Sequence, residues 1–214
     1  LNFAAMLITT ALIYRVVRVE SKDRWAAALA ALFFIGSPYI YHWASVERVA
    51  LIGLAFAFGG VYCVWKFCQP ARAISGRWSL LMLGGLFFFL ALYTKHTLWA
   101  APAAAFFALW QRNRRQAIAL AGAVGAIGGA TFLVVDYATA GGFYLGLIES
   151  NASTFLTDQL VEQLSAFAST FPILVLLALW GWLQRIRAKG AFGAKQIGVL
   201  EWYGITAVPM LALA

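Results

Sequence analysis

The stretch Phe87–Pro102, FFFLALYTKHTLWAAP, decides how the whole chain is read, because it sets a Lys and a His between two apolar runs with almost no loop. From Trp78 to Gln111, between Arg77 and Arg112, there are 34 residues. Two full membrane crossings need roughly 40, at ~20 per helix, so the turn is expected below the membrane surface. The 17 residues Trp78–Thr94 climb ~25 Å of a hydrocarbon core ~30 Å thick, which leaves Lys95 and His96 inside it. Ionisable groups at that depth are usually functional. The alternative is that Lys95 snorkels its ammonium up to the headgroups.

Composition agrees with a membrane setting. The 214 residues are 63% hydrophobic and 11% charged, with a mean hydropathy of +0.81, which excludes an ordinary soluble domain with a polar shell. An all-α, polytopic transmembrane bundle is expected over residues 1–214 as one domain. The net charge of +8 does not point to nucleic acid, because the basic residues flank apolar helices instead of forming a face with stacking aromatics. Cys63 and Cys68 lie about 140° apart on one helix, near its reducing-side end, and are expected as free thiols. The chain opens at Leu1 without Met and stops inside an apolar run, so it is expected to be an internal piece of a longer protein.

Eight apolar segments follow one another: Leu1–Val17, Trp25–Tyr41, Val49–Phe67, Trp78–Thr94, Thr97–Trp110, Ala117–Val135, Thr170–Leu183 and Val199–Ala214. Of the 16 Lys and Arg, all but Arg48 and Lys95 fall on alternate connections, after the first, third, fifth and seventh segments. By the positive-inside rule those connections are cytoplasmic. The opposite side then carries Arg48, Lys95 and both histidines, His42 and His96, each near aromatic residues at the mouth of a helical hairpin. Two such mouths can converge on one anion. Arg48 pairing with adjacent Glu47, and His42 resting at the interface, are the plainer alternatives.

Pro38 is expected to break or kink the second helix near its outer end, and Pro102 to act similarly in the fifth. Gly125 and Gly129 have the spacing that lets a neighbouring helix approach closely, and are read as packing. Residues 136–169 form the one long outer loop, with four carboxylates and no basic residue. Its second half, from Thr157 to Phe167, reads as an amphipathic helix on the outer interface, either covering a substrate or joining two spans. Asn151-Ala152-Ser153 matches the N-glycosylation pattern, which matters only in a eukaryote.

No Walker loop, metal-spaced Cys/His cluster or Gly-x-Ser-x-Gly elbow is present, so neither a cofactor nor a metal is expected. An outward, partly sunken group of cations and imidazoles with carboxylates nearby suits a phosphate attached to a lipid. Lys95 and Arg48 would neutralise the phosphate as it leaves, and a carboxylate or imidazole would accept the attacking hydroxyl's proton.

The runs SVERVALIGLAFAFGGVY, FFFLALYTKHTLWAAPAAAFFALW and ESNASTF together resemble the bacterial membrane glycosyltransferases of family 39, the protein-mannosyltransferase and aminoarabinose-transferase relatives of the GT-C fold. The informative positions are Thr94-Lys95 at the outer end of a helix, Arg48 at the second outer turn, and Asn151 with Phe155 before the loop helix. The resemblance implies that Lys95, and with it Arg48, binds a polyprenyl phosphate. Two departures stand out. The family usually has Asp two residues after the Arg, where this chain has Ala50, and its main catalytic acid lies ahead of the first helix here. Glu47, three residues before Ala50, is expected to take the second acidic role.

The resulting expectation is an inverting sugar transferase of the bacterial inner membrane with its active face outward. It would use a polyprenyl-phosphate-sugar donor and a lipid, glycan or protein acceptor. Candidate residues are Glu47 for catalysis and Lys95, Arg48, His96, His42 and Asn151 for binding. A lipid-linked sugar flippase and a non-catalytic paralogue are the alternatives. A transporter should also place ionisable residues mid-membrane or inward, whereas the conspicuous ones gather at the outer ends.

Overall fold

The computed structural model describes residues 1–37, 40, 50–69, 77–147, 157–170, 172–173, 175–176, 180–181 and 198–207. Among them there is helix and no strand. In chain order the helices are α1 (Asn2–Ser21), α2 (Arg24–Gly36), α3 (Ala50–Cys68), α4 (Arg77–Thr94), a 3₁₀ turn η1 (His96–Trp99), α5 (Ala100–Arg112), α6 (Arg114–Ala138), the short α7 (Gly142–Leu147), α8 (Thr157–Thr170) and α9 (Val199–Ala207). By length and composition α1, α3 and α6 can cross a membrane, and α2 and the apolar part of α4 are shorter apolar helices.

Helix ends follow local chemistry. α1 stops where Lys22 turns left-handed at φ 57°, and Asp23 then caps α2 by accepting from the Trp25 N–H at 2.8 Å. α2 ends at Gly36 with Ser37 extended at ψ 123°, the conformation that a following proline imposes. Pro38 therefore ends this helix short of Tyr41. Asn113 is the single residue between α5 and α6. Its extended backbone at φ −155° closes α5, and its side chain accepts from the Arg115 and Gln116 N–H groups to open α6.

α3 is the axis of the bundle, packed by α1, α4 and α5 and touched by α9. α3 and α4 lie close because the Phe88 ring, fully buried, occupies the space that a side chain on Gly60 would fill. Between helices in lipid the driving force is tight packing and not escape from water, so small residues at contacts are what the sequence must supply. α5 supplies them as Ala101, Ala104, Ala105 and Ala108, all buried. α9 packs beside it, with the Thr206 hydroxyl donating to the Ala100 carbonyl at 2.9 Å.

Three of the basic connections meet at one end of the bundle. The Glu20 carboxylate at the end of α1 accepts from the Trp65 indole at 2.7 Å and from Gln69 at 3.2 Å, both at the end of α3. The Arg112 guanidinium at the end of α5 donates to the Cys68 carbonyl. Cys63 and Cys68, near the same end, are buried and form no disulfide.

Three expectations are corrected. Pro102 does not kink a helix: α5 starts at Ala100, so Pro102 sits in its first turn, where a missing N–H matters little. Among the described residues no helix packs closely on Gly122, Gly125, Gly128 or Gly129, since a Cβ built on any of them would meet nothing within 4 Å. The outer loop does not begin at Asp136, which is still helical in α6. The amphipathic segment of that loop is helical over Thr157–Thr170, with Val161 exposed.

Candidate functional site

α4 holds 18 residues and α5 holds 13, which gives ~27 Å and ~20 Å of rise; η1 adds about 8 Å to the shorter arm. Both arms of the hairpin are therefore shorter than a ~30 Å core. Lys95 is the joint. Its N–H still bonds the Ala91 carbonyl at 2.8 Å, its backbone is extended at φ −152°, and its carbonyl accepts from Leu98 N–H at 3.0 Å to start η1. The Thr94 hydroxyl turns back to the Leu90 carbonyl at 2.7 Å and does not cap the turn.

Lys95 and His96 are both half-buried, and neither side chain has a hydrogen bond or ion pair with the described residues. Below the turn, His96 helps to line a cavity of ≈ 320 Å³ with Leu92, Tyr93, Gly128, Gly129, Phe132 and Phe143. The glycines of α6 thus form a cavity wall, the role that replaces the expected helix contact. A second cavity of ≈ 340 Å³ lies deeper along the same faces of α4 and α6, one turn away on each, between Phe88, Phe106, Phe107 and Gly125.

The structure also brings the start of α3 to this place. A Cβ on Gly53, in the first turn of α3, would lie 2.7 Å from the Leu98 Cδ1 and 3.2 Å from the Thr94 Cγ2. The start of α3 therefore abuts the Lys95–Leu98 turn. Of the six candidate residues, Lys95 and His96 are placed, side by side; Glu47, Arg48, His42 and Asn151 lie outside the described residues. Ala50, the departure from the family pattern, is the first residue of α3.

Two features of the site were missed by sequence reasoning. The Tyr93 hydroxyl donates to the Gly128 carbonyl at 2.6 Å and ties the outer end of α4 to α6. α7 then folds back so that the Phe143 ring stacks on Tyr93, with centroids 6.1 Å apart. The pair Gly141-Gly142 after Thr139 was the available turn signal, since Ala140 and Gly141 both take positive φ, 51° and 85°.

The all-helical architecture, with three helices long and apolar enough to cross a membrane, defines a polytopic membrane protein. Residues 1–136, which run from α1 to the last turn of α6 and include Lys95 and His96, match the family described as dolichyl-phosphate-mannose-protein mannosyltransferase, and the chain belongs to that family. It is therefore a membrane protein of a glycosyltransferase class. No curated protein and no solved structure matches the chain.

Proposed function

We propose that this protein transfers a sugar from a polyprenyl-phosphate-linked donor to a lipid, glycan or protein acceptor on the outer, periplasmic face of a bacterial inner membrane. The observation that carries the reading is the Lys95–His96 turn. An ammonium half-buried and without a partner among the described residues, next in sequence to a half-buried imidazole that lines an apolar cavity, is complementary to a ligand with one anionic group and an apolar chain. At 4 Å a unit-charge pair is worth about 1 kcal/mol in water but about 4 kcal/mol at the effective dielectric of a partly buried site.

Chemically, the bond from the anomeric carbon to the donor phosphate oxygen breaks while the acceptor oxygen attacks from the opposite face, which inverts the centre. The electron pair leaves with the polyprenyl phosphate, whose added charge Lys95 and Arg48 stabilise. Glu47 orients the acceptor or the base that takes its proton. His96, His42 and Asn151 supply donors around the phosphate and sugar.

The test uses the full-length protein in membrane vesicles with polyprenyl-phosphate hexoses and pentoses. Lys95→Met is expected to lower transfer about 100- to 1000-fold, the scale on which one preorganised stabiliser of developing charge acts, while the amount of folded protein stays unchanged. Lys95→Arg should retain part of the activity if charge alone is required. Wild-type turnover by the Met variant would return Lys95 to a snorkelling side chain. In a variant lacking Cys63 and Cys68, an impermeant thiol reagent added outside should label Thr139→Cys and spare Asn113→Cys; the reverse pattern overturns the outward face.

A further inference from the structure

The helices around the site end at different heights. Gly128 lies 14 residues beyond Arg114, ~21 Å up α6, close to the ~24 Å at which Tyr93 stands on α4. α6 continues for ten more residues, ~15 Å beyond Gly128, and so rises past the Lys95 turn as a wall beside it. α7 folds back from the top of that wall. The fold-back is held at two points: the Asp136 carboxylate accepts from the Tyr144 N–H at 2.8 Å, and the Thr139 hydroxyl accepts from the Phe143 N–H at 3.0 Å. Phe143 is thereby set edge-on to Phe132, with centroids 5.4 Å apart, and flat on Tyr93, at an interplanar angle of 14°.

Tyr93 is where this roof meets the cationic turn. Its ring lies between Phe143 and Phe89, the latter at 4.7 Å, and its hydroxyl reaches a backbone carbonyl that stays accessible because residue 128 has no side chain. Among the described residues it makes the one side-chain hydrogen bond from the outer half of α4 to another helix. Two residues later the helix ends at Lys95. α7 and Phe143 lie beyond the residues matched to the family.

We propose that Tyr93 is a positioning residue: it couples the α6–α7 fold-back to the Lys95–His96 turn and so holds His96 at the cavity and fixes the turn that carries Lys95. Its role in sugar transfer rests on the function proposed above. The coupling itself is geometric, and it can be tested without that function.

Tyr93→Phe keeps the ring and removes only the hydroxyl. In the full-length protein, hydrogen exchange of the backbone amides of residues 95–99 should speed up about 10-fold, with the melting temperature unchanged. Asp136→Ala should speed the same amides, and adding it to Tyr93→Phe should give much less than the product of the two effects, because both act through one path. With polyprenyl monophosphate as the probe, affinity should fall about 5- to 10-fold in either variant. KM for the donor should rise correspondingly and kcat should fall with it, because the turn carries the ammonium that meets both the bound phosphate and its developing charge. Unchanged exchange in Tyr93→Phe, fully multiplicative effects, or a loss confined to kcat would each overturn the proposal. A wild-type protein that binds no polyprenyl monophosphate defeats the glycosyl-transfer reading, and the exchange measurement still decides the role of Tyr93.

Discussion

At one end of the bundle Glu20 takes hydrogen bonds from Trp65 and Gln69 while Arg112 reaches the Cys68 carbonyl; at the other end Lys95 and His96 have no such partners among the described residues. The first end joins α1, α3 and α5 through polar side chains that would otherwise lack partners at the edge of the apolar region. The second end is joined by contact and by one hydroxyl: Gly53 against Thr94 and Leu98, Tyr93 to Gly128. A charge left unpaired in a partly buried place lowers stability, because the low-dielectric surroundings penalise it. The difference separates an end tied by polar side chains from an end whose two cationic side chains the described residues leave without such ties.

This separation can be broken in three places. The largest effect on function is expected from Gly53→Val, whose branched side chain must displace Leu98 and Thr94 and with them the Lys95 turn. A misplacement of about 1 Å can cost a site 100-fold. Transfer assays should show a loss of about 10- to 100-fold that exceeds any change in the yield of folded protein, and equal losses in both would place Gly53 with the structural positions. Gly60→Val, in mid-bundle, should do the opposite. Its Cβ overlaps the buried Phe88 ring, and overpacking of this kind destabilises by roughly 1–3 kcal/mol. The melting temperature in detergent should fall, while turnover per folded molecule is retained. The smallest effect belongs to Glu20→Ala, which removes the acceptor for Trp65 and Gln69 and should lower stability by about 1 kcal/mol without altering donor affinity. Glu20→Gln keeps an acceptor oxygen and should lose less. A change in donor affinity on altering Glu20 would show that the two ends are coupled and dissolve the comparison.

Several parts of this organisation were legible in the residues. The 34 residues between Arg77 and Arg112 are too few for two full crossings, and α4 and α5 are correspondingly short helices with Lys95 at their joint. Lys95 ends its helix, and Thr157 opens one. Helix boundaries moved where a cap outweighed hydropathy. Asn113 starts α6 before the apolar run, and Ser37 ahead of Pro38 ends α2 well before the aromatic residues that seemed to continue it. The glycine spacing in α6 misled, because that spacing permits a close neighbour without providing one. α7 was hidden in an apparent loop: six residues are too few to show a helical period, and its existence depends on Thr139 and Asp136 bonding backbone groups several residues ahead.

The sequence by itself determined the membrane setting, the helical class, the segregation of basic residues and the shortness of the two helices that meet at Lys95. These follow from hydropathy, helix rise and the energy of charge in lipid, all of which act along the chain. The tertiary structure alone decided that the start of α3 abuts that turn, that the glycines of α6 line a cavity, and that Tyr93 is held by Gly128 and roofed by Phe143. Each of these joins residues tens of positions apart through contacts a few ångströms long. Such contacts depend on which helices become neighbours, and no local period or propensity encodes that choice.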